Sequence, residues 1–194
     1  VVARVPDPGS PNRHLVTDPN LPECPQLKIV RIDGSLYFGA VDHVQEQLHH
    51  INEQSPQQKH LLLIGNGINF VDIAGAELLA AEARNRKARS GGLYLVKIKE
   101  EACNTLRRGG FRDLIGPENI FLTKDAAISG VFQKLDTGIC ARCDKRIFTE
   151  CAKIRPLTVP ATRLALPALG NLPRLEHLLV ASDGSEYSAA AVHA

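Results

Sequence analysis

The stretch Lys59 to Ile98, KHLLLIGNGINFVDIAGAELLAAEARNRKARSGGLYLVKI, restricts the fold more than any other part of the chain. His60-Leu61-Leu62-Leu63-Ile64 is a short unbroken apolar run, which a strand carries when both of its faces are covered. Gly65 and Gly67 then interrupt it. From Ile73 the apolar positions Ile73, Ala76, Leu79, Ala80 and Ala83 recur at helical spacing while Glu77, Glu82, Arg84 and Arg86 fall elsewhere, which predicts one buried helical face. Asp72 suits the N-cap of that helix. Arg84, Arg86, Lys87 and Arg89 suit the negative end of its dipole, and Gly91-Gly92 its termination. Leu93 to Val96 reads as the next strand. Parallel strands need such a crossover, so the segment is a βαβ unit in a mostly parallel sheet.

The flanks are read the same way. Val1 to Pro25 holds six prolines and no periodic pattern, so an extended lead-in over 1–24 is expected, acting as a tether. Leu27 to Ile32 reads as a strand, Asp33-Gly34 as a tight turn, and Leu36-Tyr37-Phe38 as the second strand of a hairpin. Val41, Val44, Leu48 and Ile51 mark a first helix ending near Ser55-Pro56. Beyond Ile98, Glu100 to Arg108 reads as a third helix with Cys103 and Leu106 inward, closed by Gly109-Gly110. Asn119 to Leu122 is a short further strand, and Ile128, Val131, Phe132 and Leu135 mark the inner face of a fourth helix begun by Asp125. The expected domain, over 25–136, is α/β: a mostly parallel mixed sheet of about five strands flanked by four helices, in the order ββαβαβαβα.

Gly138 to Leu175 carries seven Lys or Arg against two acids, with four prolines, so 137–175 reads as a basic Pro-rich linker. From residue 176, His177-Leu-Leu-Val-Ala-Ser-Asp183-Gly opens a new strand and turn, with a helix beginning as Ala194 is reached.

A chain of 194 residues buries one respectable core, and ~100–200 residues per domain predicts one domain with additions. It contains no Met, not even at position 1, and is expected to begin inside a longer protein. No apolar run approaches the ~20 residues of a transmembrane helix and no basic-then-apolar leader opens the chain, so this piece is expected to be soluble. Five irregularly spaced cysteines fit reduced thiols rather than a secreted disulfide framework. A net charge of +2 gives no ground for a nucleic-acid partner.

Gly65-Asn66-Gly67 lacks the Lys and hydroxyl of a phosphate loop and the third glycine of a dinucleotide loop, so a simple turn is the better reading. His49-His50 lies on the outer side of the first helix with no carboxylate or Cys at ligand spacing, and reads as solvated. Cys140-Ala-Arg-Cys143 with Cys151 is the sharpest chemical cluster. Three thiolates could hold a zinc ion beside a fourth ligand that the sequence does not show. Nearby Arg142, Lys145 and Arg146 would lower the thiol pKa values and favour redox chemistry; incidental linker cysteines are the plain alternative. The basic run from Arg142 to Arg163 fits an anionic membrane surface or a solvated linker. No nucleophile elbow, zinc-protease helix or spaced Cys-His pair appears, so no catalytic residue is named and no enzyme activity is expected. No resident cofactor is expected, nucleotide and zinc being the alternatives.

With that order of elements, KIVRIDGSLYFGAVDHV and LLLIGNGINFVDIAGAELL resemble a STAS domain, and more closely the cytoplasmic STAS domain of SulP sulfate permeases and related anion transporters. Arg31 to Phe38 and the Asp72-Ile-Ala-Gly75 loop carry the likeness. HLLVASDGSEYSAAAVHA, within 176–194, similarly resembles the first strand and helix start of a universal stress protein domain, in which Asp183 would belong to a nucleotide site. The anti-sigma-factor antagonist branch of the STAS family carries a phosphorylated Ser or Thr where this chain has Ala74, which has no oxygen to accept a phosphoryl group.

The resemblance implies a non-catalytic regulatory or interaction domain at the cytoplasmic face of the inner (plasma) membrane. It would act by contact with the transmembrane domain of the same full-length chain, with regulatory proteins or a nucleotide as further partners and oligomerisation through the full-length transporter. The interaction loop would comprise Ile68, Phe70, Asp72, Ala74 and Gly75, the first two as exposed anchors and the helix-start amides open to an anion or a carboxylate. Two alternatives are a free-standing antagonist that binds an anti-sigma kinase and a nucleotide-binding stress-response module.

Overall fold

The computed structural model describes residues 1–156. In chain order the elements are β1 (Val2–Ala3), β2 (Val5–Pro6), β3 (Leu15–Val16), β4 (Leu27–Asp33), α1 (Phe38–Gln54), β5 (His60–Gly67), α2 (Ile73–Ala88), β6 (Gly92–Val96), α3 (Glu100–Arg108), α4 (Phe111–Ile115), β7 (Ile120–Phe121), α5 (Lys124–Phe132) and α6 (Thr137–Arg142). The main sheet has the order β1-β4-β5-β6-β7. β1 runs antiparallel to β4 and the other neighbours are parallel. This is the mixed five-stranded α/β architecture expected from the sequence.

Strand alternation sorts the side chains into two cores. Val30, Ile32, Leu61, Leu63, Leu93 and Leu95 face one side, where Val44 and Leu48 of α1, Leu79 and Ala83 of α2, Leu106 of α3 and Ile115 of α4 meet them. Leu27, Ile29, Leu62, Ile64, Tyr94 and Val96 face the other, against Ala127, Ile128 and Val131 of α5 and the pair Ile147 and Phe148. The unbroken apolar run of β5 is thus explained: its odd and even residues enter different cores.

Three expectations are corrected. Asp33-Gly34 does not make a hairpin: Leu36 forms only a lone parallel bridge with Val71, and Phe38 already lies in α1. Both edges of β4 are occupied, by β5 and by β1, so no edge remains for a returning strand. The lead-in is not a tether, because Val2 and Ala3 pair with Arg31 and Val30, and β2 and β3 form a small hairpin with Val5 buried. Short edge strands tolerate Pro6, which is why the prolines misled. The segment from Gly138 is not a free linker either. Asp136 caps α6 by accepting from the amides of Gly138 at 2.7 Å and Ile139 at 3.1 Å, and Ile147 and Phe148 are buried beyond it.

Smaller differences follow local chemistry. α5 is capped by Thr123 Oγ1, which accepts from Ala126 N at 3.2 Å, rather than begun by Asp125. A short α4 follows Gly110, whose positive φ of 74° turns the chain. The stretch resembling a universal stress protein, with Asp183, lies outside the described residues. Among the described residues no helix is long and apolar enough to cross a membrane.

Arg86 is the least expected member of the interior, at 1% exposure. Its Nε donates to Glu82 Oε1 at 2.7 Å, Nη1 to the Gln58 carbonyl at 2.7 Å, and Nη2 to Asn52 Oδ1. Burial pulls its pKa down, while Glu82 opposes the shift. The side chain therefore fastens the end of α2 to the end of α1 and to the turn before β5. Arg86→Met removes one partner of a buried pair and is expected to cost about 3 kcal/mol or more, whereas Arg84→Met, on the exposed face beside Glu77, should cost less than about 1 kcal/mol. Urea unfolding of the two variants reads the difference.

Phe148 offers a second check, because a side chain at 5% exposure contributes nothing if its segment is a loose linker. Phe148→Ala is expected to destabilise the domain by about 3 kcal/mol, seen as a lower urea midpoint at unchanged slope; a midpoint equal to wild type returns the segment to the linker reading.

Candidate functional site

The loop between β5 and α2 is built from backbone first. Leu36 N donates to the Phe70 carbonyl at 2.9 Å and Asp72 N to the Leu36 carbonyl at 3.0 Å, so the segment after β4 and the loop after β5 run side by side. At Gly75 a Cβ would overlap the Leu36 carbonyl, and only glycine lets the start of α2 approach so closely.

Asp72 holds two helix starts at once. Its Oδ1 accepts from Gly75 N at 2.8 Å, the N-cap bond of α2, and its Oδ2 accepts from Phe38 N at 2.9 Å, the first amide of α1. Tyr37, the N-cap residue of α1, supplies no side-chain cap of its own. The Gly75 amide, and after it that of Phe38, holds the Asp72 carboxyl below the usual carboxylate range.

Around this carboxylate lies an exposed apolar patch of Tyr37, Phe38, Phe70 and Ile73, with Phe38 at 82% and Ile73 at 72% exposure. Phe70 is exposed as expected. Ile68 is not: it lies fully buried in the first core, because the chain turns back at Ile68 N to the Gly65 carbonyl, 2.9 Å away, and folds that residue under the loop. Ile73 was expected inward but occupies the first turn, beyond the reach of the core. Tyr37 and Phe38 went unrecognised because alternation suggested a strand there. The Asp72–Phe38 bond spans 34 residues, and nothing in the local sequence announces it. Gly75 is buried and Ala74 half-buried; the Gly75 amide, expected to be open to an anion, is taken by Asp72 itself.

The other candidates are placed apart from this loop. A carboxylate does accompany the histidine pair, contrary to expectation: His49 Nε2 lies 3.2 Å from Glu53 Oε1, one turn on, while His50 pairs with Gln54, all on the exposed side of α1 as expected. Cys140, Cys143 and Cys151 do converge, and with Cys24 they line a small apolar pocket also bounded by Gln26 and Phe148. Burial pushes the thiols of Cys140 and Cys151 up, and Cys24 up to about 11, which corrects the expected lowering by nearby cations. Gln26 Nε2 donates to Cys140 Sγ at 3.2 Å. Among the described residues no three His, Cys, Asp or Glu side chains are placed to hold one metal ion.

The family described as STAS domain matches residues 18–127, more than half of the chain. The chain belongs to the STAS domain family. Its relatives include a putative sulfate transporter, YvdB, of Bacillus subtilis, 25% identical over 99 residues covering 51% of this chain and 18% of that protein. Sulfate transporter 1.3 of Arabidopsis thaliana is 24% identical over 132 residues, 63% of this chain and 20% of that protein. The STAS chain thus spans about a fifth of the length of these curated relatives. Among solved structures, a sulfate transporter family protein from Wolinella succinogenes superposes with a TM-score of 0.51 at 22% identity, covering 66% of this chain and 97% of that one. The murine Slc26a9 anion transporter in its inward-facing state gives 0.59 at 19% identity, over 68% and 22%. These two likenesses concern the fold. The matched family span ends before His177, so the universal stress likeness stays an expectation of the sequence alone.

The double cap has a pH signature. The folded pKa of Asp72 lies below its unfolded value, so its ionised contribution is complete above about pH 4 and is lost as pH falls through the depressed folded value. Asp72→Asn keeps an acceptor oxygen but does not titrate. The variant is expected to be less stable than wild type near neutral pH and to lose that deficit at the acid end, measured by urea unfolding across the acid range; a deficit that is constant with pH would show that the charge of Asp72 plays no part.

Proposed function

We propose that this STAS domain is a non-catalytic regulatory module at the cytoplasmic face of a SulP-type transporter of sulfate or a related inorganic anion. It acts by contact with the transmembrane part of the same full-length chain. The observation that carries the contact mode is the exposed patch of Phe38, Phe70 and Ile73, since isolated domains seldom leave large apolar side chains clustered in water unless something covers them. The transporter assignment is supported by relatives named as sulfate transporters, of whose length the match covers about a fifth. Ala74, without a hydroxyl, argues against a phosphorylated antagonist.

The physical logic is differential contact. A domain outside the anion path changes transport only if its contacts differ between transport states. Phe38 and Ile73 are the first residues of α1 and α2, so acidic replacements there suit the helix dipoles and spare the fold. Phe38→Glu combined with Ile73→Glu is expected to change sulfate uptake by the full-length transporter several-fold while leaving the melting temperature of the 194-residue chain within about 2 °C. Uptake equal to wild type would remove the patch from the mechanism.

A further inference from the structure

The second face of the sheet holds a cleft of ≈210 Å³. Arg4, His14, Arg31, Lys97 and Lys124 line it, and no Asp or Glu is among its lining residues. Arg31, Ile64 and Val96 stand in register on adjacent parallel strands, at the carboxyl ends where open α/β sheets receive ligands. The lead-in supplies Arg4, His14 and Leu15, so the segment expected to be a tether instead walls a cavity.

The charges there are incompletely matched. Arg31 Nε meets Asp33 Oδ1 at 2.6 Å, and Lys124 Nζ stands 3.5 Å from Asp125 Oδ1 while donating to the carbonyls of Asn12 and Arg13. Arg4 Nε, by contrast, is buried without a hydrogen-bond partner among the described residues, an unfavourable state for a charged donor. Lys97 has a φ of 55°, in the left-handed region that most residues other than glycine, Asn and Asp avoid, where the chain leaves β6 at the rim of the cleft. Several cations at the mouth of an apolar floor create a field that only an anion neutralises.

We propose that this cleft binds a small tetrahedral oxyanion of the sulfate or phosphate class, with Arg4 and Lys97 as its main ligands and Arg31 and Lys124 completing the positive wall. Arg4 contributes its guanidinium, whose buried and partnerless Nε a side-chain rotation turns toward the anion. The site stands independently of the transporter reading, since it needs only the cleft and its charges. The oxyanion is either a free ion or the phosphate of a nucleotide, because an adjoining pocket shares Leu15 and Lys124 and continues past Asn12 and Arg13 to Ile128 and Phe148, with Asp125 and Glu150 also on its wall.

Isothermal titration of the 194-residue chain with sodium sulfate, sodium phosphate and ATP, at ionic strength matched by sodium chloride, tests this. Saturable binding at one site is expected, weakened about tenfold by Lys97→Gln and by Arg4→Gln, and unchanged by Arg84→Gln, whose cation lies on the outer face of α2. ATP that binds more tightly than phosphate and is lost in the same two variants assigns the oxyanion to a nucleotide; competition by sulfate and phosphate alone assigns a free ion. No saturable heat with any of the three, or binding that survives both substitutions, overturns the proposal. So does a purely linear stabilisation by sulfate that persists in Lys97→Gln, which is the general exclusion effect of that salt. Lys97 is exposed, so its variant keeps the fold and leaves the test decisive even if Arg4→Gln does not.

Discussion

From His60 to Gly65, β5 has no face turned to water, and most of the architecture follows from that. Leu61 and Leu63 enter one core while Leu62 and Ile64 enter the other. Each such side chain returns roughly 1.5–3 kcal/mol only if water is excluded from it. On the first side α1, α2, α3 and α4 provide the cover. On the second side the nine residues of α5 cannot cover a sheet that also presents Leu27, Ile29, Tyr94 and Val96. The deficit is met from outside the central pattern: Ile147 and Phe148 arrive from beyond α6, and Leu15 arrives from the lead-in hairpin. Segments rich in proline and charge are thereby drawn into the fold because an apolar face needed them.

This explains where the sequence was legible and where it was not. α3 was expected over Glu100 to Arg108 and occupies that span, since acidic residues at its start, basic ones at its end and a closing glycine pair are local signals. The N-cap at Asp72 and the βαβ unit were legible for the same reason. Edge competition is not local: whether Leu36 to Phe38 pairs with β4 depends on whether Val2 and Ala3 already do. Arg86 was misplaced because a charged residue on a helix is ordinarily assigned outward, and only Asn52, Gln58 and Glu82 together make its inward position tolerable. Around the start of α2, the cap at Asp72 and the exposure of Phe70 were legible, whereas the exposure of Phe38 and Ile73 required knowing which turn of each helix escapes the core.

α1 and α2 are fastened to each other at both ends by polar side chains of opposite charge. Asp72 joins their starts through the amides of Phe38 and Gly75, and Arg86 joins their ends through Asn52. Two helices so tied share their fixed points, so a contact proposed at Phe38 or Ile73 bears on both. Removing either tie has a different consequence: the bonds that Asp72 makes are exposed at Phe38 and part-buried at Gly75, where water replaces them, while the partners of the buried guanidinium have no such replacement.

The patch and the cationic cleft lie at the same carboxyl edge of the sheet, and a short path of bonded groups connects them. Arg31 belongs to the cleft and is paired with Asp33. Asp33 stands in register with Gly67, and Gly34 N donates to the Gly67 carbonyl at 3.0 Å. Two residues further, Leu36 exchanges backbone bonds with Phe70 and Asp72, which position the patch. An oxyanion in the cleft competes with Asp33 for Arg31, so its binding alters the charge balance at the turn from which the Asp72 loop hangs. If cleft and patch both act as proposed, this coupling must be reciprocal: whatever factor the anion imposes on docking at the patch, docking imposes on the affinity for the anion. A domain built this way senses the occupancy of its own cleft through two backbone bridges rather than through a large movement.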